Sequence, residues 1–200
     1  MNKRKGIAVA VVLLLVLIIG GMLAFFTDTD TESNVFTIGE DIDIEITEEW
    51  EPTDGEDLHP GAEVTKQPSI ENVSSVPAYV FMEVVVPCYA STGTTVDTPL
   101  FSFTPNSGWE LINTSSIDQD SQTITYRYAY GTSSAMTQLE GGETTATALF
   151  DSVTLDSSLT AEQAATAASG LSIDINAYGI QVENLGVTAP ADIFDLFSNP

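Results

Sequence analysis

The chain begins with one long apolar run and continues as short apolar stretches that alternate with polar positions. The run covers residues 7–24, and three basic residues precede it at positions 3–5. A basic start, an apolar stretch and small residues at its end are typical of a secretory signal. We therefore predict a signal peptide over residues 1–24, cut between Ala24 and Phe25. An uncleaved N-terminal anchor is the alternative, because a membrane-spanning helix needs roughly 20 apolar residues.

The polar and apolar positions after the run alternate with a period of two, which is the period of a β-strand. Residues 34–38 form the first such stretch, and residues 41–46 form the second. In the second stretch Ile42, Ile44 and Ile46 alternate with acidic residues. This pattern predicts a half-buried strand that is apolar on one face and acidic on the other.

Further β-type stretches follow at short intervals, separated by turn signals. They cover residues 64–73, 78–86, 100–103, 109–112, 122–130, 144–155 and 171–182. The stretch 78–86 is the most apolar outside the leader, so we predict a central core strand there. Pro68 marks the stretch 64–73 as an edge strand or as irregular. The alternation of the last stretch slips near Gly179, as a β-bulge would cause.

One segment has a convincing helical pattern. It covers residues 160–168, where Thr160 can cap the first turn and Gln163 can complete a capping box. Many short strands with a single short helix predict an all-β fold, an antiparallel jelly-roll-like β-sandwich, over residues 41–187. The remaining tail, residues 188–200, contains apolar side chains that must pack on the domain or meet a partner.

Charge narrows the range of partners. Three of the 5 basic residues lie before the apolar run and none of the 29 acidic residues does, so the exported part has 2 basic and 29 acidic residues, a net charge of −27. Nucleic acid and anionic membranes would be repelled by such a surface. We expect no nucleic-acid partner, and we expect membrane contact only through the N-terminal segment before cleavage.

The residues that usually carry catalysis are scarce. His59 is the only histidine and Cys88 the only cysteine, so the chain contains neither the histidine pair of an H-E-x-x-H zinc site nor an internal disulfide. A Cys88–His59 pair is conceivable, but a buried inert thiol is the favoured interpretation. We predict no catalytic residues, no cofactor and no enzyme activity.

Two features suggest a bound ligand instead. Asp54, Glu56 and Asp57 are weak candidates for holding Ca²⁺ through carboxylate oxygens, but their spacing does not match an EF-hand loop, and a solvated acidic loop is favoured. Alternating aromatic residues form a stripe that can bind carbohydrate, although one face of a sheet core is the more frequent role of such a stripe. The stripe consists of Ile124, Tyr126, Tyr128 and Tyr130.

Two sequence motifs resemble a known family. The first is AFFTDTDTESNVFTIG at residues 24–39. The second consists of Pro60-Gly61, Thr65-Lys66, Pro68-Ser69-Ile70, Asn72 and Pro77-Ala78-Tyr79-Val80. Both are similar to the TasA and camelysin (CalY) family of biofilm-matrix proteins of Gram-positive bacteria, which are exported through a SipW-type signal peptidase. The similarity covers residues 1–87, and the departure from the family pattern is Met22, which is larger than the usual residue before the cut.

The resemblance implies a secreted subunit that polymerises with itself, and with related matrix subunits, into extracellular fibres. In such fibres the freed N-terminal strand of one subunit inserts into the sheet of the next. We assign that role to residues 25–40, with Phe25, Phe26, Val35, Phe36 and Ile38 as the apolar residues of the strand-exchange segment. An unpaired β segment that finds a sheet edge buries its apolar residues and satisfies its backbone groups. The alternative is a membrane-tethered cell-surface β-sandwich that binds glycan or Ca²⁺.

Overall fold

The computed structural model describes residues 34–38, 42–49, 58–160, 162–163 and 172–197. Several of the sequence predictions fall outside these residues. They are the signal peptide, the cut between Ala24 and Phe25, the first part of the strand-exchange segment with Phe26, and the three acidic candidates Asp54, Glu56 and Asp57.

Twelve strands and one helix are named among the described residues. The strands are β1 (Asn34–Ile38), β2 (Ile44–Glu49), β3 (Glu63–Thr65), β4 (Gln67–Asn72), β5 (Ala78–Tyr89), β6 (Thr98–Pro99), β7 (Phe101–Phe103), β8 (Trp109–Thr114), β9 (Thr123–Thr132), β10 (Ala135–Met136), β11 (Ser152–Leu155) and β12 (Asp174–Gln181), and the helix is α1 (Pro190–Asp195).

The described strands form three sheets around one main core. The largest has the order β1-β12-β5-β9-β10, with β6 paired to β5 and β8 paired to β9. A sheet of order β3-β11-β7 and the pair β2-β4 contribute side chains to the same core as β5 and β12. The predicted all-β sandwich is thereby confirmed. The pairing of β1 with β12 is parallel, whereas the other ladders between these strands are antiparallel.

Strand β5 lies at the centre of the largest sheet, as its apolar sequence predicts. It pairs with β12 on one side and with β9 on the other. Because side chains alternate across a strand, Val80 and Val84 point into the main core, whereas Phe81 points to the opposite face. All three are fully buried, so both faces of the sheet are covered at this strand.

The opposite face of the largest sheet is covered by the C-terminal segment. There Phe81 of β5 and Ile180 of β12 form a second core with Ile193 and Phe194 of α1. Pro190 is at the start of the helix, where its missing N–H leaves no partner unsatisfied. The apolar side chains of the tail therefore pack on the domain, which is the first of the two predicted outcomes.

The predicted bulge at Gly179 is wrong. Strand β12 pairs with β5 residue by residue, without a register shift at this position. Glycine suits this position for a different reason: a Cβ here would lie in tight contact, 3.2 Å from side-chain carbons of Ile42 and Ile44. The interrupted alternation of the sequence reflects this close packing of Ile42 and Ile44 on β12.

The stretch 144–155 is a strand only at its end, as β11. Before that, residues 143–149 run beside β4 in an irregular conformation and exchange isolated backbone hydrogen bonds with it. Leu149 donates its N–H to the Pro68 carbonyl at 2.8 Å, and Thr145 donates to the Ile70 carbonyl at 2.9 Å. Pro68 is tolerated there because only its carbonyl is used. The alternating pattern thus reflects burial without a regular ladder.

The predicted capping box between Thr160 and Gln163 is present. The Thr160 N–H donates to Gln163 Oε1 at 2.9 Å, and the Gln163 N–H donates to Thr160 Oγ1 at 3.3 Å. Residues 162–163 are helical, and residues 164–168 lie outside the described part of the chain. The prediction that this segment is the only helix is wrong, because α1 is a second one.

Candidate strand-exchange site

Strand β1 lies at the edge of the largest sheet. It runs parallel to β12 in a register that starts with Asn34 opposite Asn176 and ends with Ile38 opposite Ile180. None of the described strands pairs with its outer side. Val35 is 40% exposed and Phe36 is 49% exposed, values that are high for large apolar side chains. The strand is therefore attached on one side only and is incompletely covered.

The two faces of β1 have different environments. Val35 lies opposite Ala177, whose side chain belongs to the main core. Phe36 lies opposite Tyr178 on the other face, where the two rings stack with centroids 5.0 Å apart and planes 16° apart. Ile38 lies on the same face as Phe36 and packs against the second core. Phe36 and Ile38 are thus the side chains that join β1 to the helical side of the sheet.

Three rings form a cluster that receives Phe36, and we call Tyr178, Phe194 and Phe197 the aromatic socket. The Tyr178 ring lies 5.0 Å from the Phe194 ring and 5.3 Å from the Phe197 ring, and Phe194 and Phe197 are 5.6 Å apart. A groove of about 560 Å³ opens between these rings and β1. The socket is held together by its own contacts, apart from those to Phe36.

The ion pair between Arg127 and Glu83 holds the aromatic socket in place. Arg127 Nε donates to Glu83 Oε2 at 2.7 Å. The Arg127 guanidinium also lies over the Phe194 ring, 5.1 Å from its centroid, in the geometry of a cation–π contact. The Tyr178 hydroxyl donates to Glu83 Oε1 at 3.4 Å. Two of the three socket rings are therefore fixed by one charged pair.

Electrostatics keep the Tyr178 hydroxyl protonated. Burial and, to a smaller extent, the neighbouring Glu83 carboxylate together raise the pKa of Tyr178 to about 12, against the lowering effect of the Arg127 guanidinium. A protonated hydroxyl can donate to the carboxylate, whereas a phenolate would be repelled by it. The hydrogen bond that orients the Tyr178 ring consequently persists over the whole physiological pH range.

The structure locates part of the predicted strand-exchange segment. Val35, Phe36 and Ile38 lie on β1, and Phe25 and Phe26 lie outside the described residues. The sequence predicts a segment that is unpaired within its own chain, whereas residues 34–38 pair with β12 of that chain. The exchange of this strand between copies stays a prediction.

The aromatic socket was not predicted as a unit. The sequence indicated only that Phe194 and Phe197 need a partner. Their spacing of three residues puts them on one side of a helix, and Pro190 is a helix-start signal, so the helix itself was open to prediction. The meeting of this helix with Tyr178 depends on the fold.

The remaining candidates have structural roles. Cys88 is 1% exposed, and burial raises the pKa of its thiol to about 11, which confirms the interpretation as a buried, inert thiol. His59 is exposed in a loop. In the stripe, Tyr128 and Tyr130 are buried in the main core, and Tyr126 packs against it beside Phe103. The core interpretation of the stripe is confirmed.

A comparison with family models identifies the N-terminal part of the chain. Residues 1–84 match the model described as camelysin metallo-endopeptidase. The predicted resemblance to the TasA/camelysin family is confirmed over these residues. The camelysin match covers the leader, β1–β4 and the first half of β5, which carries the β1 strand but not the aromatic socket. Searches of the curated proteins and of the solved structures found no match.

The camelysin description names a metal-dependent peptidase, so we asked whether the described residues could hold a metal ion. Within residues 34–38, 42–49, 58–160, 162–163 and 172–197, no group of three or more His, Cys, Asp or Glu side chains is placed to do so. His59 is exposed, and residues 50–57, which precede it in the sequence, lie outside the described part of the chain. The described residues therefore do not fit a metal centre, and we derive no peptidase chemistry from them.

None of the helices formed by the described residues has the length and apolar character needed to cross a bilayer. The apolar run at residues 7–24, which carries the leader prediction, lies outside the described residues.

Proposed function

We propose that this camelysin-family chain is a secreted structural subunit that assembles into extracellular biofilm-matrix fibres by exchanging β1 between copies. The observation that carries the proposal is the position of β1: a five-residue edge strand that pairs, among the described strands, with β12 alone, and whose Phe36 is half exposed. Its partners are copies of itself and related matrix subunits, after a signal peptidase has removed the leader. The cell surface or extracellular matrix is the corresponding location.

Exchange leaves every contact of β1 intact. The strand of one copy can occupy the β12 edge of a neighbour in the same parallel register, because the two edges are identical. Backbone groups of β12 are then satisfied by the neighbour, as in other cases where a strand is added to a sheet edge. When each copy receives its strand from one neighbour and donates its own strand to another, the contact is head-to-tail and an open chain results, whereas reciprocal exchange between two copies gives a closed dimer.

The connection after β1 is short enough to act as a hinge. Only residues 39–41 separate Ile38 from Ile42, which is already buried against the core. Short hinge segments favour exchange between copies. Because Ile42 is held in the core, a β1 strand that leaves its own domain extends away from that domain. Leader removal would free the other end of the strand, so that assembly follows export.

A reversible lock on β1 tests the proposal. Val35 and Ala177 are register partners on adjacent strands, a spacing within the range that a disulfide can bridge. We expect mature protein carrying Val35→Cys and Ala177→Cys to remain monomeric when oxidised and to form fibres when reduced. Fibre formation is followed by negative-stain imaging and light scattering. The buried thiol of Cys88, whose pKa is about 11, should not compete for the disulfide.

The lock leaves the outer side of β1 free, so it separates two modes of assembly. If oxidised protein with a confirmed intramolecular disulfide assembles as well as reduced protein, subunits add to the outer edge of β1 and strand exchange is wrong. Each single cysteine variant serves as a control for the substitutions themselves. Deleting residues 25–38 from mature protein, which removes β1, is the second arm, and fibres of normal length from that protein would also contradict the proposal.

A further inference from the structure

We infer that the aromatic socket is the recognition site for Phe36 of an incoming copy, so that α1 of the accepting subunit belongs to the assembly interface. This inference rests on the proposed function, and it adds the site that selects the incoming strand and sets its register. The occupant is β1 of a second copy. The basis is that β1 of the chain itself lies against the socket, with Phe36 stacked on Tyr178.

Selection must come from a side chain, because the backbone ladder is the same for any strand. In strand addition the main-chain hydrogen bonds supply affinity, and pockets for alternate side chains supply specificity. On the helical face of β1 the central residue is Phe36, and Val35 and Thr37 point to the opposite face. Phe36 is therefore the residue of β1 whose side chain the aromatic socket can recognise.

The same pocket fixes the register. A slip of one residue would turn Phe36 to the other face of the sheet, away from Tyr178. A slip of two residues would bring Asn34 or Ile38 to the position of the stacked ring. Neither side chain can reproduce a ring stack with centroids 5.0 Å apart. The parallel register seen in the structure is thus the one that fills the socket.

The socket is accessible and preformed. Phe36 is 49% exposed, so an incoming ring can enter from the side without opening the main core. The ring of Phe194 packs on the fully buried Phe81, with centroids 5.3 Å apart, and Arg127 covers its other side. The free-energy cost of ordering the acceptor on binding is therefore small.

A peptide-binding experiment tests this inference separately from fibre formation. The probe is a fluorescent peptide of residues 31–40, and the receptor is mature protein with Phe36→Ala, whose own strand competes weakly for the site. We expect the natural peptide to bind about tenfold more tightly than the same peptide with Phe36→Ala. The peptide with Val35→Ala is the matched control, because Val35 is also exposed but faces away from the socket, and it should bind within about threefold of the natural peptide.

A second substitution in the receptor identifies the socket. Adding Phe197→Ala to the Phe36→Ala protein should weaken binding of the natural peptide several-fold. The difference in affinity between the natural and the Phe36→Ala peptide should also become smaller, because Phe36 of the peptide and Phe197 of the receptor are coupled partners. Denaturant unfolding of both receptors confirms that they are folded. Equal binding of the natural and Phe36→Ala peptides, or no binding of either, would overturn the inference. If the disulfide lock blocks assembly in that case, strand exchange stands without the socket, whereas assembly of the locked protein overturns the proposed function and the inference together.

Discussion

Gly131, in the last part of β9, has no room for a side chain. A Cβ at this position would lie 2.4 Å from the Ala135 carbonyl oxygen and 2.8 Å from the Met136 Cα, and its φ is 152°. These neighbours are backbone atoms of β10, which pairs with Gly131 itself. The pairing of β9 with β10 therefore depends on a glycine here, and an added carbon would have to displace a strand.

The first prediction at the residue scale uses this position. We expect Gly131→Ala to lower the free energy of unfolding by about 3 kcal/mol, because overpacking against the backbone adds to the conformational strain. Urea unfolding of the monomer measures the change. Gly142→Ala is the matched control: its φ is also positive, at 81°, but nothing lies within 4 Å of the added carbon. The control should lose only about 1 kcal/mol, and equal losses at the two sites would contradict the packing argument.

Single residues also show how far alternation can be trusted. The pattern assigned Tyr128 and Tyr130 to one face, and both are buried there. At Gly179 the same reasoning produced a bulge that does not exist, because a missing side chain and an extra residue interrupt a pattern in the same way. Sequence periodicity reports which positions are covered, and it does not report what covers them.

At the scale of elements, the short helix α1 seals the outer face of the largest sheet. Ile193 is 1% exposed and packs with Phe81 and Ile180, which are themselves fully buried. Without α1 the apolar outer faces of β5 and β12 would be in contact with water. A six-residue helix is too short to be stable alone, so its conformation depends on this packing.

The second prediction of this section concerns that helix. We expect Ile193→Ala to lower the free energy of unfolding by about 2–5 kcal/mol, since it removes a buried side chain and leaves a cavity. Asp195→Ala, an exposed position of the same helix, should change it by no more than about 0.5 kcal/mol. Denaturant unfolding measures both. Similar small effects of the two substitutions would show that α1 does not dock on the sheet in solution.

The sequence predicted the elements better than their pairing. The bounds of β1 and the core strand β5 follow from local alternation, and the structure places both strands within a few residues of the expected limits. The parallel pairing of β1 with β12 joins residues about 140 positions apart, and nothing in either strand specifies it. The socket was missed for the same reason, because Tyr178 and α1 are brought to Phe36 only by that pairing.

At the scale of the whole molecule, charge opposes the proposed assembly. Without residues 1–24 the chain has a net charge of −27, so adjacent copies in the proposed fibre would repel one another. Salt at about 0.5 M shortens the screening length to a few ångströms. The structure puts most acidic side chains at exposed positions, so screening should act on them fully.

Our last prediction follows from this repulsion. We expect fibres to form faster at about 0.5 M salt than at about 0.05 M, and faster at about pH 4.5 than at pH 7, because salt screens the carboxylates and acid protonates a part of them. Light scattering at fixed protein concentration measures the rates. Assembly that is indifferent to both variables would show that charge does not limit it.

Stronger acid should have the opposite effect on the fold. Backbone N–H groups hold the pKa of two carboxyls below the ordinary value: the Ser158 N–H for Asp156, and the Asp120 and Ser121 N–H groups for Asp118. A carboxyl whose folded pKa is lowered stabilises the fold above its ordinary value, and that contribution is lost as pH falls through the lowered one. The acid arm of the experiment therefore stays above about pH 4.

The pairing of β1 with its own β12 makes each free subunit its own competitor. A tethered strand next to its site has an effective concentration on the order of millimolar, far above that of strands on other molecules in dilute solution. A newly released subunit would consequently stay closed until crowding or a growing fibre end offers a better chance of exchange. Growth would then begin after a delay and only above a threshold concentration, with storage of the monomer as the default.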